Sequence, residues 1–544
     1  MIDSKYTEYA KDVLEGKIVA GELIKLACQR YLNFFERKDL YFDTEKADKP
    51  LRFIAKLKHN TGKFVGQPFI LQDWQRFIIY AIFGFYKKED DTRLCRSSYI
   101  QIARKCGKTS FASAIGLYGL VADGESGAEV TCVAPSAAQS RIAFKNASEY
   151  VGTINRGNIL KCLTGEIRFD HTHSRFRIMS SSAKFGDGFN PSLAIIDEYH
   201  ALPNNDIPNL LISGTGMRRQ PLMIYITTAG FNLYSACHSY RNMCEEILRG
   251  LKEDDSIFPF IYELDPSDNW EDSTVWKKCC PSLDITVTKD YMERQLLTAK
   301  NNPVDEISIK TKTFNIWCSS KEVWLQNDLL LKVSQDIKLE DYGNKGLVAY
   351  AGIDLAAVSD LACLSILFQY ENNFYFKTWA FVPETQLTES LNKELYKKWK
   401  REGNLIVTHG NVTDYDYILK QIQEVNKVIP IVKVSYDSWN ATQFAISATE
   451  QGLNMSPYSQ ALGNFNKPTK EFERLVKSGK VVIDNSELVR WCFNNAILKS
   501  DFNENCKPIK GDNRNNKIDA VISMLTALGG LLEEPFYMPY FEAI

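Results

Sequence analysis

Ile102-Ala-Arg-Lys-Cys-Gly-Lys-Thr-Ser110 is the stretch on which the fold turns. It follows a β-rich run, Ser98-Tyr-Ile-Gln-Ile102, and leads into a helical run, Phe111–Leu120. A strand, a tight basic loop and a helix start, in that order, make a candidate phosphate loop, because unpaired backbone N–H groups and the positive end of the helix dipole face an anion. Lys108 would reach the β and γ phosphates of a nucleotide and the Thr109 hydroxyl would ligate Mg2+, with Arg104, Lys105, Cys106, Gly107 and Ser110 lining the phosphates. Ile102 stands where the standard pattern has its first glycine, so the loop read in isolation is a turn that caps a surface helix. The residues around it decide between the two.

Downstream, the apolar run Leu193-Ala-Ile-Ile196 ends in Asp197-Glu198. This puts two carboxylates at the C-terminal mouth of a buried strand, where open α/β sheets bind ligands. Asp197 is expected to hold Mg2+ and Glu198 to orient or deprotonate the attacking water, since phosphoryl transfer needs positioning and charge neutralisation. A further strand, Leu222–Thr227, ends in Thr227-Thr228, small hydroxyls suited to sensing a γ-phosphate. Upstream, Leu71-Gln-Asp-Trp-Gln75 offers Gln72 and Gln75 as amides to read an adenine edge beside an aromatic; the plainer reading is the start of an amphipathic helix. Short β-rich runs alternating with helical segments between Ser97 and Ala229 describe a mostly parallel α/β sheet.

A second alternation begins at Val348-Ala-Tyr-Ala-Gly-Ile-Asp354. Three β-rich runs (348–355, 361–369, 373–381) are followed by helices and another strand at Ile429–Tyr436, a layout expected of a ribonuclease-H-like sheet. Asp354 is placed in the middle of the first strand, Asp360 at the start of the next, Asp437 at the end of a later one and Asp519 on a final apolar helix. A charged group among apolar neighbours is costly unless it is paired or bound to a cation. Together the four carboxylates would hold two Mg2+ or Mn2+ ions ~3.5–4 Å apart, one activating water and one stabilising the leaving oxygen.

The 544 residues leave room for two to four domains. Hydrophobic residues at 44% and charged residues at 24% describe an ordinary globular chain. Lys plus Arg number 65 and Asp plus Glu 67, a formal charge of 65 − 67 = −2, so any contact with nucleic acid must come from local patches. No apolar stretch approaches the ~20 residues that cross a bilayer, and the polar start Met1-Ile-Asp-Ser-Lys-Tyr-Thr-Glu8 lacks the pattern of a signal peptide. Thirteen dispersed cysteines without a Cys-x-x-Cys pair point to reduced thiols, and six histidines give no support to a structural zinc site.

The four motifs Leu71-Gln-Asp-Trp-Gln75, Ala103-Arg-Lys-Cys-Gly-Lys-Thr109, Ile195-Ile-Asp-Glu198 and Ile226-Thr-Thr-Ala229, in this order, resemble the large terminase subunit of tailed bacteriophages, and the resemblance covers nearly the whole chain. It implies a deviant Walker A loop without the first glycine, which removes the objection raised by Ile102. The fold it implies is an N-terminal P-loop (ASCE-type) ATPase with a mostly parallel sheet, joined to a C-terminal ribonuclease-H-like nuclease domain. The boundaries read on that basis are a helical lead-in or lid at 1–60, the motor at 61–250, a charged, turn-rich connection at 251–344, the nuclease at 345–535 and a tail at 536–544.

The function implied is ATP-driven translocation of double-stranded viral DNA into a procapsid and metal-dependent cleavage of concatemeric DNA. ATP with Mg2+ would serve the motor, and two Mg2+ or Mn2+ ions held by Asp354, Asp437 and Asp519, with Asp360 accessory, would serve the nuclease. Arg104 within the loop and Lys184, in Ser182-Ala-Lys-Phe-Gly-Asp-Gly188, are candidate cations for the transition state, Lys184 across a subunit interface. The implied partners are DNA, the portal protein, the small terminase subunit and further copies of the chain in a ring on the portal, in the host cytoplasm and with no membrane. The main alternative is a helicase or DNA remodeller whose second half binds nucleic acid without cutting it; no second helicase lobe follows Thr228. A structural protein with degenerate sites is disfavoured by the retention of Lys108, Thr109, Asp197, Glu198 and the spaced aspartates.

Overall fold

The computed structural model describes residues 3–59, 62–155, 157–180, 188–318, 323–355, 361–437, 441–501, 504–510 and 516–533. The chain divides into two compact units, Met1–Cys318 and Ser319–Ile544.

The first unit is built on eight strands: β1 Ser97–Gln101, β2 Glu129–Ala134, β3 Leu160–Leu163, β4 Glu166–Phe169, β5 Ser174–Ser180, β6 Leu193–Asp197, β7 Leu222–Thr227 and β8 Ile257–Ile261. Their order is β8-β1-β7-β6-β2-β5-β4-β3. The first six in that order run parallel, and β4 and β3 turn antiparallel at one edge. β6 and β7 are apolar up to their last residues, Asp197 and Thr227, and are buried at every position, as a sheet covered on both faces requires. In register, Gln101 lies beside Thr227 and Asp197 beside Ile226, so the loop after β1, the carboxylates after β6 and the hydroxyls after β7 open on one edge.

The first sixty residues are more than the lead-in or lid expected of them. Helices α1 (Glu8–Leu14), α2 (Glu22–Phe34) and α3 (Thr44–Ile54) contribute Val13, Ile24, Tyr31, Phe34 and Ile54 to the main core. The spacing of Leu23, Ile24, Ala27, Cys28, Tyr31 and Phe34 gives α2 one apolar face, which packs on β8: the Phe34 and Phe258 rings are 5.2 Å apart, and the Arg30 guanidinium donates to the Ile257 carbonyl (2.8 Å). The stretch 251–318, expected from its composition to belong to a connection, lies in the first unit. Within it Ile257-Phe-Pro-Phe-Ile261 forms the edge strand β8, where the missing N–H of Pro259 is tolerated.

The second unit holds β9 Ser334–Gln335, β10 Ala349–Asp354, β11 Ala362–Tyr370, β12 Asn373–Pro383, β13 Ile406–Thr408, β14 Ile431–Tyr436, β15 Met455–Pro457 and β16 Val481–Asp484. The order is β9-β16-β12-β11-β10-β14-β15, with β13 beside the end of β12. β11 runs antiparallel to both β10 and β12, whereas β14 is parallel to β10, which is the ribonuclease-H-like arrangement. A separate hairpin pairs β17 (Ala496–Ser500) with β18 (Cys506–Lys510).

Helix α4 (Asp519–Leu532) lies across β10, buried from Asp519 to Leu531. The approach requires Gly352: a Cβ there would stand 2.2 Å from the Ser523 carbonyl oxygen and from the Ala527 nitrogen, both backbone atoms. Gly352→Ala is therefore expected to destabilise the protein by about 3 kcal/mol, because helix and strand must separate. Urea unfolding measures this, and a loss under about 0.5 kcal/mol would show that α4 is free to move.

Candidate functional site

The loop between β1 and the helix Lys108–Val121 is bent by two left-handed residues, Lys105 (φ 67°) and Gly107 (φ 82°). Gly107 caps the helix without a side-chain hydrogen bond, leaving the first-turn N–H groups for a ligand. The loop is anchored from below: Ile102 N–H donates to the Thr227 carbonyl (3.0 Å), Ala103 N–H to that of Cys279 (3.2 Å) and Arg104 N–H to that of Lys312 (3.0 Å). Thr286 donates its hydroxyl to the Lys105 carbonyl (2.9 Å), and the buried thiols of Cys106 and Cys280 are in contact at 3.4 Å. Arg104 and Lys105 are exposed on the loop. Residues 279–312 thus shape the loop, which its local sequence gave no reason to expect.

Lys108 is buried, and its ammonium is folded back onto the carbonyls of Ile102 (3.0 Å) and Ala103 (3.1 Å). Burial lowers its pKa against the opposing pull of Glu198. Thr109 Oγ1 donates to Asp197 Oδ2 (3.3 Å), so the two groups expected to share a Mg2+ meet across the sheet. Asp197 Oδ1 also accepts from the Glu198 N–H (3.0 Å). Burial, and then the charge of Glu198, push the Asp197 carboxyl up to about 7.

A carboxyl whose folded-state pKa lies above its ordinary value near 4 holds its proton more tightly when folded. Its contribution is fully present below pH ~4 and is lost as the pH rises to about 7. Urea unfolding in EDTA should therefore show Asp197→Asn to be more stable than the parent at pH 8, by about 2–4 kcal/mol, and not at pH 4. An equal difference at both pH values would remove the buried charge as its cause.

Glu198 has a left-handed backbone (φ 51°, ψ 48°), uncommon for a residue with a Cβ. The turn returns the chain so that His200 packs against β7. His200 N–H donates to Thr227 Oγ1 (3.0 Å); His200 Nδ1 lies 3.0 Å from the same oxygen, 3.5 Å from Thr228 Oγ1 and 3.3 Å from Glu198 Oε2. Burial holds the imidazole pKa down at about 4, so it is neutral. Beyond the threonines, the buried Asn315 accepts from the Ala229 N–H (2.7 Å) and donates to the Tyr262 carbonyl (2.6 Å). Neither His200 nor Asn315 was singled out from sequence, although the two-residue spacing from Glu198 could have flagged His200.

Gln72 and Gln75 form a capping box at the start of helix Asp73–Gly84. Gln75 Oε1 accepts from the Gln72 N–H (3.0 Å), and Gln72 Oε1 accepts from Trp74 Nε1 and from the Ser282 hydroxyl (both 2.9 Å). The plain helix-start reading accounts for both carbonyl oxygens. Ser110 faces Tyr150. Lys184 lies outside the described residues, as does Asp360.

In the second unit Asp354 ends β10 instead of standing mid-strand. Parallel pairing of Ile353 with Tyr436 sets the next residues, Asp354 and Asp437, at the same level, and α4 begins at Asp519. Burial, then the charge of Asp519 and more weakly that of Asp437, hold the Asp354 carboxyl well above its ordinary range; Gln460 and Lys510 oppose this, Gln460 Nε2 donating to Asp354 Oδ1 (3.0 Å). Among the described residues no three His, Cys, Asp or Glu side chains stand close enough to hold a metal ion as placed. The donor chemistry nevertheless fits a hard divalent cation: each of these side chains offers oxygen, and the charges of Asp519 and Asp437 act against that of Asp354. Nothing in the sequence singled out Gln460.

A phosphate loop facing a strand-end carboxylate pair in one unit, and acidic strand ends on a ribonuclease-H-like sheet in the other, define an ATPase joined to a nuclease. Two family models match, terminase large subunit, ATPase domain, over residues 73–246, and terminase large subunit, endonuclease domain, over residues 252–534. The second alone spans more than half of the chain, which belongs to the terminase large subunit family. It is similar to the terminase large subunit of Enterobacteria phage HK97, 23% identical over 479 residues (86% of this chain, 92% of that protein). It is also similar to Protein YmfN of Escherichia coli strain K12, 30% identical over 357 residues (63% and 78%). The crystal structure of the HK97 bacteriophage large terminase shares the fold, with a TM-score of 0.52 at 22% identity over 89% of this chain and 99% of that one. The chain is thus an ATPase and endonuclease of phage DNA packaging, acting on DNA and using nucleotide and divalent metal. No helix among the described residues is long and apolar enough to cross a membrane.

Proposed function

We propose that the first unit binds ATP with Mg2+ at the 102–110 loop and pumps double-stranded DNA, and that the second cuts it with two Mg2+ or Mn2+ ions. The observation that carries the motor assignment is the Thr109–Asp197 hydrogen bond, which joins the loop to the carboxylate strand. Lys108 and the loop N–H groups of 105–110 hold the phosphates, Thr109 and Asp197 hold Mg2+, and Glu198 orients the attacking water. Gln72, through its amide NH2, reads the adenine edge beside Gln75. Arg104 supplies a cation to the transferred phosphoryl group, with Lys184 doing so from a neighbouring subunit. Thr227 and Thr228 relay the loss of the γ-phosphate.

In the nuclease, Asp354, Asp437 and Asp519, with Asp360, hold the metal ions. Bound there, the ions supply an activated water and charge to stabilise the leaving oxygen. Asp354 positions this chemistry from the strand end, and Gln460 orients Asp354. The partners proposed are the portal protein, the small terminase subunit and further copies of the chain in a ring, in the host cytoplasm. The motor extends to Cys318 and the nuclease begins at Ser319, with 536–544 as a tail. Digestion of plasmid DNA with Mg2+ or Mn2+, with and without ATP, alongside an ATP-turnover assay, tests the two activities. Metal-dependent nicking and ATP hydrolysis are both expected, and a protein lacking either would overturn that half of the assignment.

A further inference from the structure

We infer that His200 is a positioning residue for ATP hydrolysis, its Nδ1–H fixing the Glu198 carboxylate relative to Thr227 at the end of β7. The inference rests on reading Glu198 as the group that orients the attacking water.

Hydrogen-bond bookkeeping assigns the tautomer. The Thr227 hydroxyl has one proton, which it donates to the Thr228 carbonyl (2.9 Å). It can therefore only accept from His200, which approaches it with both its backbone N–H and its Nδ1 at 3.0 Å. Of the other two neighbours of Nδ1, Glu198 Oε2 at 3.3 Å is a carboxylate oxygen that only accepts, and Thr228 Oγ1 at 3.5 Å donates its proton to the Ala229 carbonyl (2.9 Å). Nδ1 must then carry the proton, and the three oxygens around it lie on two different motifs.

The closer acceptor is Thr227, and Glu198 Oε2 is buried without a hydrogen bond of its own. His200 Nδ1 stands 3.3 Å from that oxygen without forming a hydrogen bond to it as placed, and a small turn of the carboxylate brings it into line with the Nδ1–H. Its ring has little freedom, since its backbone N–H is tied to the same threonine and only 13% of its side chain is exposed. The left-handed Glu198 brings these groups together: an extended residue there would carry His200 away from β7.

The reach of the link is what makes it a device for the reaction. The Thr227 carbonyl holds the Ile102 N–H at the start of the phosphate loop, and two residues on, Ala229 N–H is held by Asn315. His200 thereby refers Glu198 to the same strand end that holds the loop and the segment carrying Asn315 directly. Misplacing a catalytic group by about 1 Å costs on the order of 10²-fold in rate.

The test is steady-state ATP hydrolysis by the full-length protein with Mg2+, comparing His200→Ala, His200→Asn and His200→Gln. An asparagine amide nitrogen falls close to the Nδ1 position, whereas that of glutamine falls nearer Nε2. His200→Ala is expected to lower kcat roughly 10–100-fold with KM for ATP within about threefold of the parent. His200→Asn should recover most of that loss and His200→Gln little of it. Thr227→Val combined with His200→Ala should cost no more than the worse of the two single changes. Equal activity in the Asn and Gln variants, a loss confined to KM, or multiplicative losses in the double variant would overturn the inference; the Asn and Gln pair decides it even if the Ala variant fails to fold. Glu198→Gln is run alongside: full turnover in that variant would instead overturn the assignment of Glu198 on which the inference rests.

Discussion

Lys108→Ala is expected to reduce ATP turnover by about 10³-fold or more while leaving metal-dependent DNA cleavage by the same protein within about twofold. The ammonium is the one buried cation of the loop, and its present partners are the Ile102 and Ala103 carbonyls. Those contacts are weak competitors for a triphosphate, since a charge held by neutral dipoles in a buried site gains by meeting an anion. The parent should therefore bind nucleotide by turning Lys108 off the carbonyls. The variant loses the charge that offsets the phosphates, and with it both binding and hydrolysis. Cleavage is untouched because the carboxylates of the nuclease belong to the other compact unit. Coupled phosphate-release and plasmid-nicking assays on one preparation measure both effects. Turnover close to the parent's would mean that the 102–110 loop is only a helix cap.

Asp354→Asn is expected to have an effect of comparable size in the opposite half, lowering Mg2+- or Mn2+-dependent nicking by at least about 10²-fold with ATP turnover preserved. An amide keeps the shape and can still accept from Gln460, but it cannot supply the negative charge that a hard cation requires. The same change has a second signature in the absence of metal. Burial and the charges of Asp519 and Asp437 raise the Asp354 pKa well above its ordinary range. The folded state therefore loses stability as the pH rises above about 4, where the unfolded chain would release the proton freely. In EDTA at pH 8 the Asn variant should melt at a higher temperature than the parent, and at pH 4 the two should coincide. Lower activity with lower stability at both pH values would mark Asp354 as a structural strand end.

Much of the architecture was legible because buried strands announce themselves as short apolar runs. Leu193–Asp197 and Leu222–Thr227 fall where they were expected, and Ala349–Asp354, Ala362–Tyr370 and Asn373–Pro383 differ from expectation by at most two residues at either end. Two failures have physical causes. Ile257-Phe-Pro-Phe-Ile261 was hidden by Pro259, which argues against a central strand and is tolerated only because β8 is an edge. The first sixty residues were legible as helices, but their apolar faces say only that something covers them; that α2 packs on β8 is decided by the rest of the core.

The site divides in the same way. Lys108, Thr109, Asp197 and Glu198 were readable because their motifs are contiguous and their roles follow from residue type at a strand or helix end. Gln460 and His200 were not, since each acts through a partner that spacing alone does not reveal. The sequence by itself determined the chemistry on offer: a basic loop at a helix start, carboxylates at strand ends and hydroxyls beside them, in the order of a motor followed by a nuclease. Only the tertiary structure decided which of these groups meet. Thr109 reaches Asp197 because β1 and β6 are separated by β7 alone, and Asp354 comes level with Asp437 because Ile353 pairs with Tyr436. Strand order and register are set by the packing of whole sheets and by close approaches such as α4 on Gly352, and no local pattern of residues contains that information.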